Sequence, residues 1–173
     1  VVLPFYPYSR QDRVAQAREP ISAKLVADLL SAAGAQHVVT IQFHSGQTQG
    51  FFNFPVDNLS SKKLFVDYFA KKKLKDLVVV SPDAGGAKDA RKIADLLSAQ
   101  LAIIHKVRPR HNVAEATHVV GEVADKTCLI FDDMIDTGGS VSAAAEALRA
   151  HGAKKDIYLA ATHALFSDPA PER

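Results

Sequence analysis

The chain has 173 residues, 47% of them hydrophobic and 23% charged, which excludes collagen-like, low-complexity and disordered chains. Its 21 basic and 19 acidic residues nearly balance, and no apolar run reaches the roughly 18 residues that span a membrane, so we expect neither a nucleic acid nor a membrane as partner. The single cysteine, Cys128, excludes an internal disulfide and a cysteine-rich zinc site, which favours a reducing, cytoplasmic location.

Segments rich in valine and isoleucine alternate with helical patterns along the chain. Strands are predicted at residues 1–5, 37–43, 77–81, 101–105, 127–131 and 157–161. Amphipathic helices are predicted at residues 21–33, 87–99 and 140–151. In the first helix, the predicted apolar face consists of Ile21, Leu25, Leu29 and Ala32. The alternation predicts an α/β fold in which helices cover a parallel sheet.

Residues 53–63 have the composition of a turn or linker, with Pro55, Asp57 and Asn58 followed by two serines. We therefore predict a domain boundary near Asn58, between a first domain of residues 1–58 and a second domain of residues 59–173. Four lysines lie shortly before the next predicted strand, at positions 71, 72, 73 and 75. We interpret them as the solvated end of a helix and not as an anion site.

The most informative segment follows the predicted strand 127–131. It places two carboxylates, Asp132 and Asp133, at the end of a buried strand, and residues 136–140 then lead into a helix with the sequence Asp-Thr-Gly-Gly-Ser. Backbone N–H groups of such a loop, together with the helix N-terminus, can bind a phosphate. The adjacent carboxylates would repel a phosphate, so they suit hydrogen bonds from sugar hydroxyls, made directly or through a hydrated Mg²⁺. An acidic turn with Ser140 as N-cap is the alternative.

Two other predicted strands also end in polar loops. Residues 81–86 read Ser-Pro-Asp-Ala-Gly-Gly, where the glycines let backbone amides approach a ligand and Asp83 can hold a divalent cation. A plain strand-to-helix turn is the alternative there. Residues 105–111 contain Lys106, Arg108 and Arg110, whose charges suit a phosphoryl group in transfer, although a solvated basic loop fits them equally well.

Taken together, these segments resemble the ribose-phosphate diphosphokinases. Residues 132–140 are equally similar to the loop of type I phosphoribosyltransferases. Residues 4–13, 49–52 with 55–58, and 80–86 resemble the diphosphokinases and follow in the same order. The resemblance implies two related phosphoribosyltransferase-type domains with parallel sheets, the first of them truncated. It also implies transfer of the diphosphoryl group of MgATP to the 1-hydroxyl of ribose 5-phosphate, giving 5-phosphoribosyl 1-diphosphate and AMP.

The same resemblance implies roles for individual residues. The expected catalytic residues are Lys106 and Arg108, and the expected ATP contacts are Arg10, Gln11 and His44. Ribose 5-phosphate is expected at Asp132, Asp133, Asp136, Thr137, Gly138, Gly139 and Ser140, and the diphosphate at Asp83, Ala84, Gly85 and Gly86. Mg²⁺ is expected at His44 and Asp83. Arg18 corresponds to a phosphate contact of a regulatory site, which implies regulation by phosphate or ADP.

Two positions depart from the family pattern. Gln42 stands where members commonly have an aspartate, and Ala15 stands where they often have an acid, so we expect altered metal affinity or regulation. Two rival interpretations are a type I phosphoribosyltransferase and a catalytically silent subunit of a diphosphokinase. The family implies a homo-oligomer built from dimers, expected to be a hexamer. Because Val1 opens inside an apolar run, we expect a part of a longer protein that retains the sugar-phosphate loop but does not make product alone.

Overall fold

The structure is a computed structural model that describes residues 1–107 and 116–173. The chain divides into two compact units, Val1–Ser61 and Lys62–Arg173. None of the described helices combines the length and the apolar character that crossing a membrane requires.

The first unit is a small parallel sheet with one helix. It contains β1 (Val2–Leu3), α1 (Ser22–Ala32), β2 (Val38–Ile41), a 3-10 helix (Gly46–Phe51) and β3 (Val56–Leu59). The strands lie in the order β1-β2-β3, and both pairs are parallel. Tyr6 lies at the centre of the core. Its ring packs edge-on against Phe43 and Phe52, with centroid distances of 5.1 and 5.6 Å. Its hydroxyl donates a hydrogen bond to the Ala23 carbonyl at 2.8 Å. Burial raises the pKa of Tyr6 to about 12.

Two predictions for the first unit are wrong. The linker predicted at residues 53–63 contains β3, and Asn58 pairs with Thr40 inside the sheet, so these turn-forming residues lie in a strand. The apolar face predicted for α1 is not the buried one: Leu25 and Leu29 are 55% and 60% exposed, while Ala23 and Ala27 are buried. The side of α1 that packs on the core also carries Val26 and Leu30, which lie against the cluster of Tyr6, Ala23 and Phe43.

The second unit is a larger, mixed sheet with helices. It contains α2 (Lys62–Lys72), β4 (Leu77–Ser81), α3 (Ala87–Leu96), β5 (Gln100–Val107), β6 (Ala116–Val120), β7 (Thr127–Ile135), α4 (Gly139–Ala150), β8 (Ile157–Ala164) and a 3-10 turn (Ala170–Glu172). The strand order is β6-β5-β4-β7-β8. All pairs are parallel except β5 with β6, an antiparallel pair that the sequence did not predict. The four lysines do mark a helix end, because Lys71 and Lys72 form the last turn of α2.

The central strands of this sheet are apolar on both faces. Val78, Val80, Cys128 and Ile130 form one buried cluster with Ala144 and Leu148 of α4. Val79, Leu129 and Phe131 form the other, with Phe69 of α2 and with Ala90, Ile93 and Ala94 of α3. Each fully buried valine, leucine, isoleucine or phenylalanine side chain among them stabilises the fold by about 1.5–3 kcal/mol. The predicted α/β fold with a parallel sheet between helices is therefore confirmed, and this core fixes the ends of β4 and β7.

The connection order of the sheet reverses between β4 and β7. From β4, the chain goes to β5 on one side, whereas β7 lies on the other side of β4. Ligands of open α/β sheets bind outside the carboxyl ends of the strands at such a point. The loops after β4 and β7 therefore belong to one crevice, and they are the loops that the sequence singled out.

Candidate active site

Asp132 and Asp133 lie near the carboxyl end of β7, beyond the last residue that pairs with β4. Strand β7 continues to Ile135, four residues beyond its predicted end, but its pairing with β4 reaches only the Val80–Ile130 pair. The two carboxylates therefore extend past the end of β4 while the backbone around them still pairs with β8. The backbone N–H of Asp133 donates to Asp132 Oδ1 at 2.8 Å, which fixes the Asp132 carboxyl group.

The environment of Asp132 opposes a negative charge. Burial, the neighbouring charge of Asp133 and the more distant charge of Asp83 together raise the pKa of Asp132 from 3.8 to about 7, against the opposing hydrogen bond from the Asp133 N–H. Asp132 is therefore poised between the neutral and the charged form near neutral pH. The charge of Asp83, in the loop after β4, thus acts on the Asp132 carboxyl group of β7.

The loop after β4 is held by internal hydrogen bonds. Ser81 Oγ donates to the Asp83 carbonyl at 2.7 Å, and the backbone N–H of Gly86 donates to Asp83 Oδ1 at 2.9 Å. A Cβ atom on Gly86 would lie 2.9 Å from Ser81 Oγ, so a side chain at position 86 would displace the buried serine. Asp83, Ala84 and Gly85 are exposed, as a ligand-binding loop requires. The Gly86 N–H was expected to approach a ligand, but it is engaged by Asp83.

The loop after β7 leads into α4 in the expected way. Gly138 has φ +77°, a conformation that favours glycine, and it is the N-cap residue of α4. No side chain caps this helix, and Ser140 lies exposed inside its first turn. The alternative in which Ser140 serves only as an N-cap is therefore wrong. The first N–H groups of α4 have no intrahelical partner and, with the exposed Thr137 and Ser140, can serve as phosphate donors.

Arg173 adds a cation that the sequence did not predict at this loop. Its Nη1 donates to the Thr137 carbonyl at 3.3 Å and lies 3.0 Å from the position that a Cβ on Gly139 would take. No pattern connects position 173 to residues 137–139, since only the packing of the 3-10 turn against the loop brings them together. Ser81 was missed for a similar reason, because nothing in the sequence shows which way its hydroxyl points.

The predicted nucleotide residues lie in the first unit. Arg10, Gln11 and His44 are exposed, and Gln11 is tied to the start of α1, because its carbonyl accepts the Ala23 N–H at 3.1 Å. Arg18 is exposed with φ +71°. These positions are accessible to a ligand, while their roles stay predictions.

Gln42, one of the two departures from the family pattern, is buried in the first unit. Its side chain is 7% exposed, and its Oε1 accepts a hydrogen bond from Ser61 Oγ at 2.7 Å. The next residue is fixed as well, because the Phe43 N–H donates to Asn58 Oδ1 at 3.0 Å. The Gln42 side chain is therefore held inside the first unit, two residues before His44, and its buried Oε1 atom contacts the Ser61 hydroxyl.

The carboxylates of the crevice suit a hydrated Mg²⁺. Among residues 1–107 and 116–173, no group of three or more His, Cys, Asp or Glu side chains could hold a metal ion without other ligands. Mg²⁺ usually keeps several waters and binds one or two carboxylates together with substrate phosphates. Asp83 and Asp132, whose charges repel each other, fit that role, because a cation would relieve the repulsion.

The predicted catalytic residues are only partly described. Lys106 is the second-to-last residue of β5, where its backbone pairs with Thr117 of β6. Arg108 lies outside the described residues. Strand β5 is the neighbour of β4, so it also delivers the chain to the carboxyl edge of the sheet.

Comparisons with known proteins agree with this geometry. The family described as "Phosphoribosyl transferase domain" matches residues 57–173, and the family described as "N-terminal domain of ribose phosphate pyrophosphokinase" matches residues 1–34. Ribose-phosphate pyrophosphokinase of Bacillus caldolyticus is 53% identical over the whole chain, which covers 55% of that protein. The Mycoplasma pneumoniae protein of the same name is 58% identical, over 99% of this chain and 52% of its own length. The chain thus spans about half the length of these relatives.

Solved structures give the same result. Phosphoribosylpyrophosphate synthetase from Mycobacterium smegmatis matches 99% of this chain and 55% of its own, with a TM-score of 0.91 and 50% identity. Purine phosphoribosyltransferase from Pyrococcus horikoshii matches 62% of this chain and 72% of its own, with a TM-score of 0.50 and 20% identity, which bears on the fold alone. The resemblance to ribose-phosphate diphosphokinases and the phosphoribosyltransferase-type fold are both confirmed.

Proposed function

Because this chain belongs to the phosphoribosyl transferase domain family, with ribose-phosphate pyrophosphokinases as relatives along its whole length, we propose that the protein is an ATP:ribose-5-phosphate diphosphotransferase. The observation that carries the proposal is the crevice at the carboxyl ends of the paired strands β4 and β7. It combines two carboxylates on β7, a phosphate-type loop at the start of α4 and a second small-residue loop after β4.

Each part of the crevice has a task in this reaction. The first turn of α4 and residues 136–140 bind the 5-phosphate, while Asp132 and Asp133 accept hydrogen bonds from the ribose hydroxyls. The sugar is thereby oriented with its 1-hydroxyl toward the loop of residues 83–86, where the diphosphate lies. A Mg²⁺ held by Asp83 would supply charge neutralisation for the phosphates. A metal contact of His44, in the first unit, stays a separate prediction from the family resemblance.

The reaction needs no covalent enzyme intermediate. The 1-hydroxyl oxygen forms a bond to the β-phosphorus of ATP, the bond from that phosphorus to the α,β-bridging oxygen breaks, and AMP leaves with the bridging oxygen. The hydroxyl proton passes to solvent or to a nearby base. Lys106 and Arg108 stabilise the charge that spreads over the group in transfer, since such reactions depend on positioning and electrostatics.

Further features follow from the family resemblance and stay predictions. They are the contact of Arg10 and Gln11 with ATP, regulation by phosphate or ADP through Arg18, and a homo-oligomer built from dimers with a hexamer as its expected form. A cytoplasmic location, which the single Cys128 indicates, is likewise a prediction.

The decisive experiment is a product assay on the full-length protein. With MgATP and ribose 5-phosphate, we expect AMP and 5-phosphoribosyl 1-diphosphate in equal amounts. Phosphorus NMR and nucleotide chromatography measure the two products. Release of ADP, or consumption of ready-made 5-phosphoribosyl 1-diphosphate with a nucleobase and no use of ATP, would contradict the proposal. The second outcome would instead identify a phosphoribosyltransferase.

A further inference from the structure

An ion pair joins the start of α2 to the first turn of α3. Lys62 Nζ lies 3.0 Å from Asp89 Oδ2, and the two side chains are 17% and 38% exposed. Lys92, on the same helix as Asp89, lies 3.9 Å from Oδ1 and is 55% exposed. Lys62 is therefore the closer and better shielded cation, and the charge of Asp89 is compensated mainly from α2.

Asp89 lies directly beside the loop of residues 83–86. It is the acidic residue in the first turn of α3, and its backbone N–H donates to the Gly86 carbonyl at 3.0 Å. A carboxylate in the first turn stabilises the helix, because it faces the positive end of the helix dipole. The same charge opposes any second anion at that end, so an uncompensated Asp89 would weaken binding of a diphosphate by the loop.

We propose that Lys62 is a positioning residue for the diphosphate loop. It holds the Asp89 carboxylate against α2 and neutralises it, so that the N-terminal end of α3 keeps its attraction for the diphosphate. The inference rests on the proposed function, since the anion at residues 83–86 is part of it. Lys62 acts through Asp89 and needs no contact with the ligand.

A double-mutant cycle that removes the two charges singly and together tests this. Calorimetric titration of the full-length protein with magnesium pyrophosphate is the readout. Lys62→Met should weaken pyrophosphate binding by about three- to tenfold, as expected for one uncompensated charge at a helix N-terminus near an anion. Asp89→Asn should bind pyrophosphate at least as tightly as the original protein. The double variant should return to within about twofold of the original affinity, because both charges are gone.

The matched control is Lys63→Met. Lys63 is the next residue of α2, its side chain is 83% exposed, and it pairs at 2.8 Å with Asp67 of the same helix. Its loss changes the net charge equally but leaves Asp89 neutralised, so the affinity for pyrophosphate should stay unchanged.

The possible outcomes separate cleanly. Equal weakening by Lys62→Met and Lys63→Met would assign the effect to net charge and overturn the inference. Weakening that Asp89→Asn does not restore would show that Lys62 docks the helix or touches the anion, which also overturns it. If Lys62→Met does not fold, Asp89→Asn alone decides, because a loss of pyrophosphate affinity contradicts the proposed role. Absence of pyrophosphate binding by the original protein would refute the diphosphate site of the proposed function itself.

Discussion

Asp132 offers a direct test of the electrostatics of the crevice. We expect Asp132→Asn to stabilise the protein in metal-free buffer containing a chelator. The asparagine Oδ1 can still accept the Asp133 N–H, so the substitution removes a charge while it keeps the hydrogen bond that the structure shows at 2.8 Å. The gain arises because partial burial disfavours the charged form of the Asp132 carboxyl group, and because Asp133 and Asp83 repel that charge.

The size and the sign of this gain follow from the pKa. A rise of the Asp132 pKa from 3.8 to about 7 corresponds to a destabilisation of about 4 kcal/mol once the group is ionised in both states. Solvent access and relaxation of the neighbouring carboxylates reduce this, so we expect about 2 kcal/mol. Well below pH 3.8, the carboxyl group is neutral in both the folded and the unfolded protein, and the variant has no electrostatic advantage. Its advantage should grow as the pH rises from about 4 to about 7 and stay constant above that.

Urea unfolding followed by circular dichroism at several pH values measures this difference. Asp76→Asn is the control of opposite sign, because a hydrogen bond from Lys154 and its charge lower the pKa of the exposed Asp76. That variant should lose stability at neutral pH, and the loss should vanish as the pH falls through the lowered pKa. An Asp132→Asn difference that is independent of pH between 4 and 8, or a less stable variant, would refute the proposed origin of the raised pKa.

Three further predictions concern the loops. Gly86→Ala should destabilise the protein by about 1–3 kcal/mol in urea unfolding, since its Cβ would lie 2.9 Å from Ser81 Oγ, and Ser81→Ala with Gly86→Ala should cost less than the sum of the two single changes. Lys106→Ala should lower turnover by about two to four orders of magnitude with little change in substrate affinity, whereas near-normal turnover with a raised Michaelis constant would assign Lys106 to substrate binding. Ribose 5-phosphate should bind residues 136–140 far more tightly than ribose in calorimetry, and equal affinities would exclude a phosphate site there.

The local pattern of the sequence determined the fold class and the identity of the two loops. A short, valine-rich run such as Leu77–Ser81 favours a strand covered on both faces, and glycine at position 138 with a helix after it indicates an anion-binding turn. These features depend on neighbouring residues, so they can be predicted without knowledge of the rest of the chain. Segments whose local signal was weak or misleading, such as β3 with its Asp57 and Asn58, were missed.

Only the tertiary structure decided which residues act together. The pairing of β4 with β7 places Asp83 near Asp132, and burial then turns an ordinary carboxyl group into one with a pKa of about 7. Packing also decided that α1 buries Ala23 and Ala27 and exposes Leu25, and it brought Lys62 to Asp89. Such contacts join residues from separate elements, and their energies depend on distance and on the solvent that the fold excludes, neither of which the order of residues along the chain specifies.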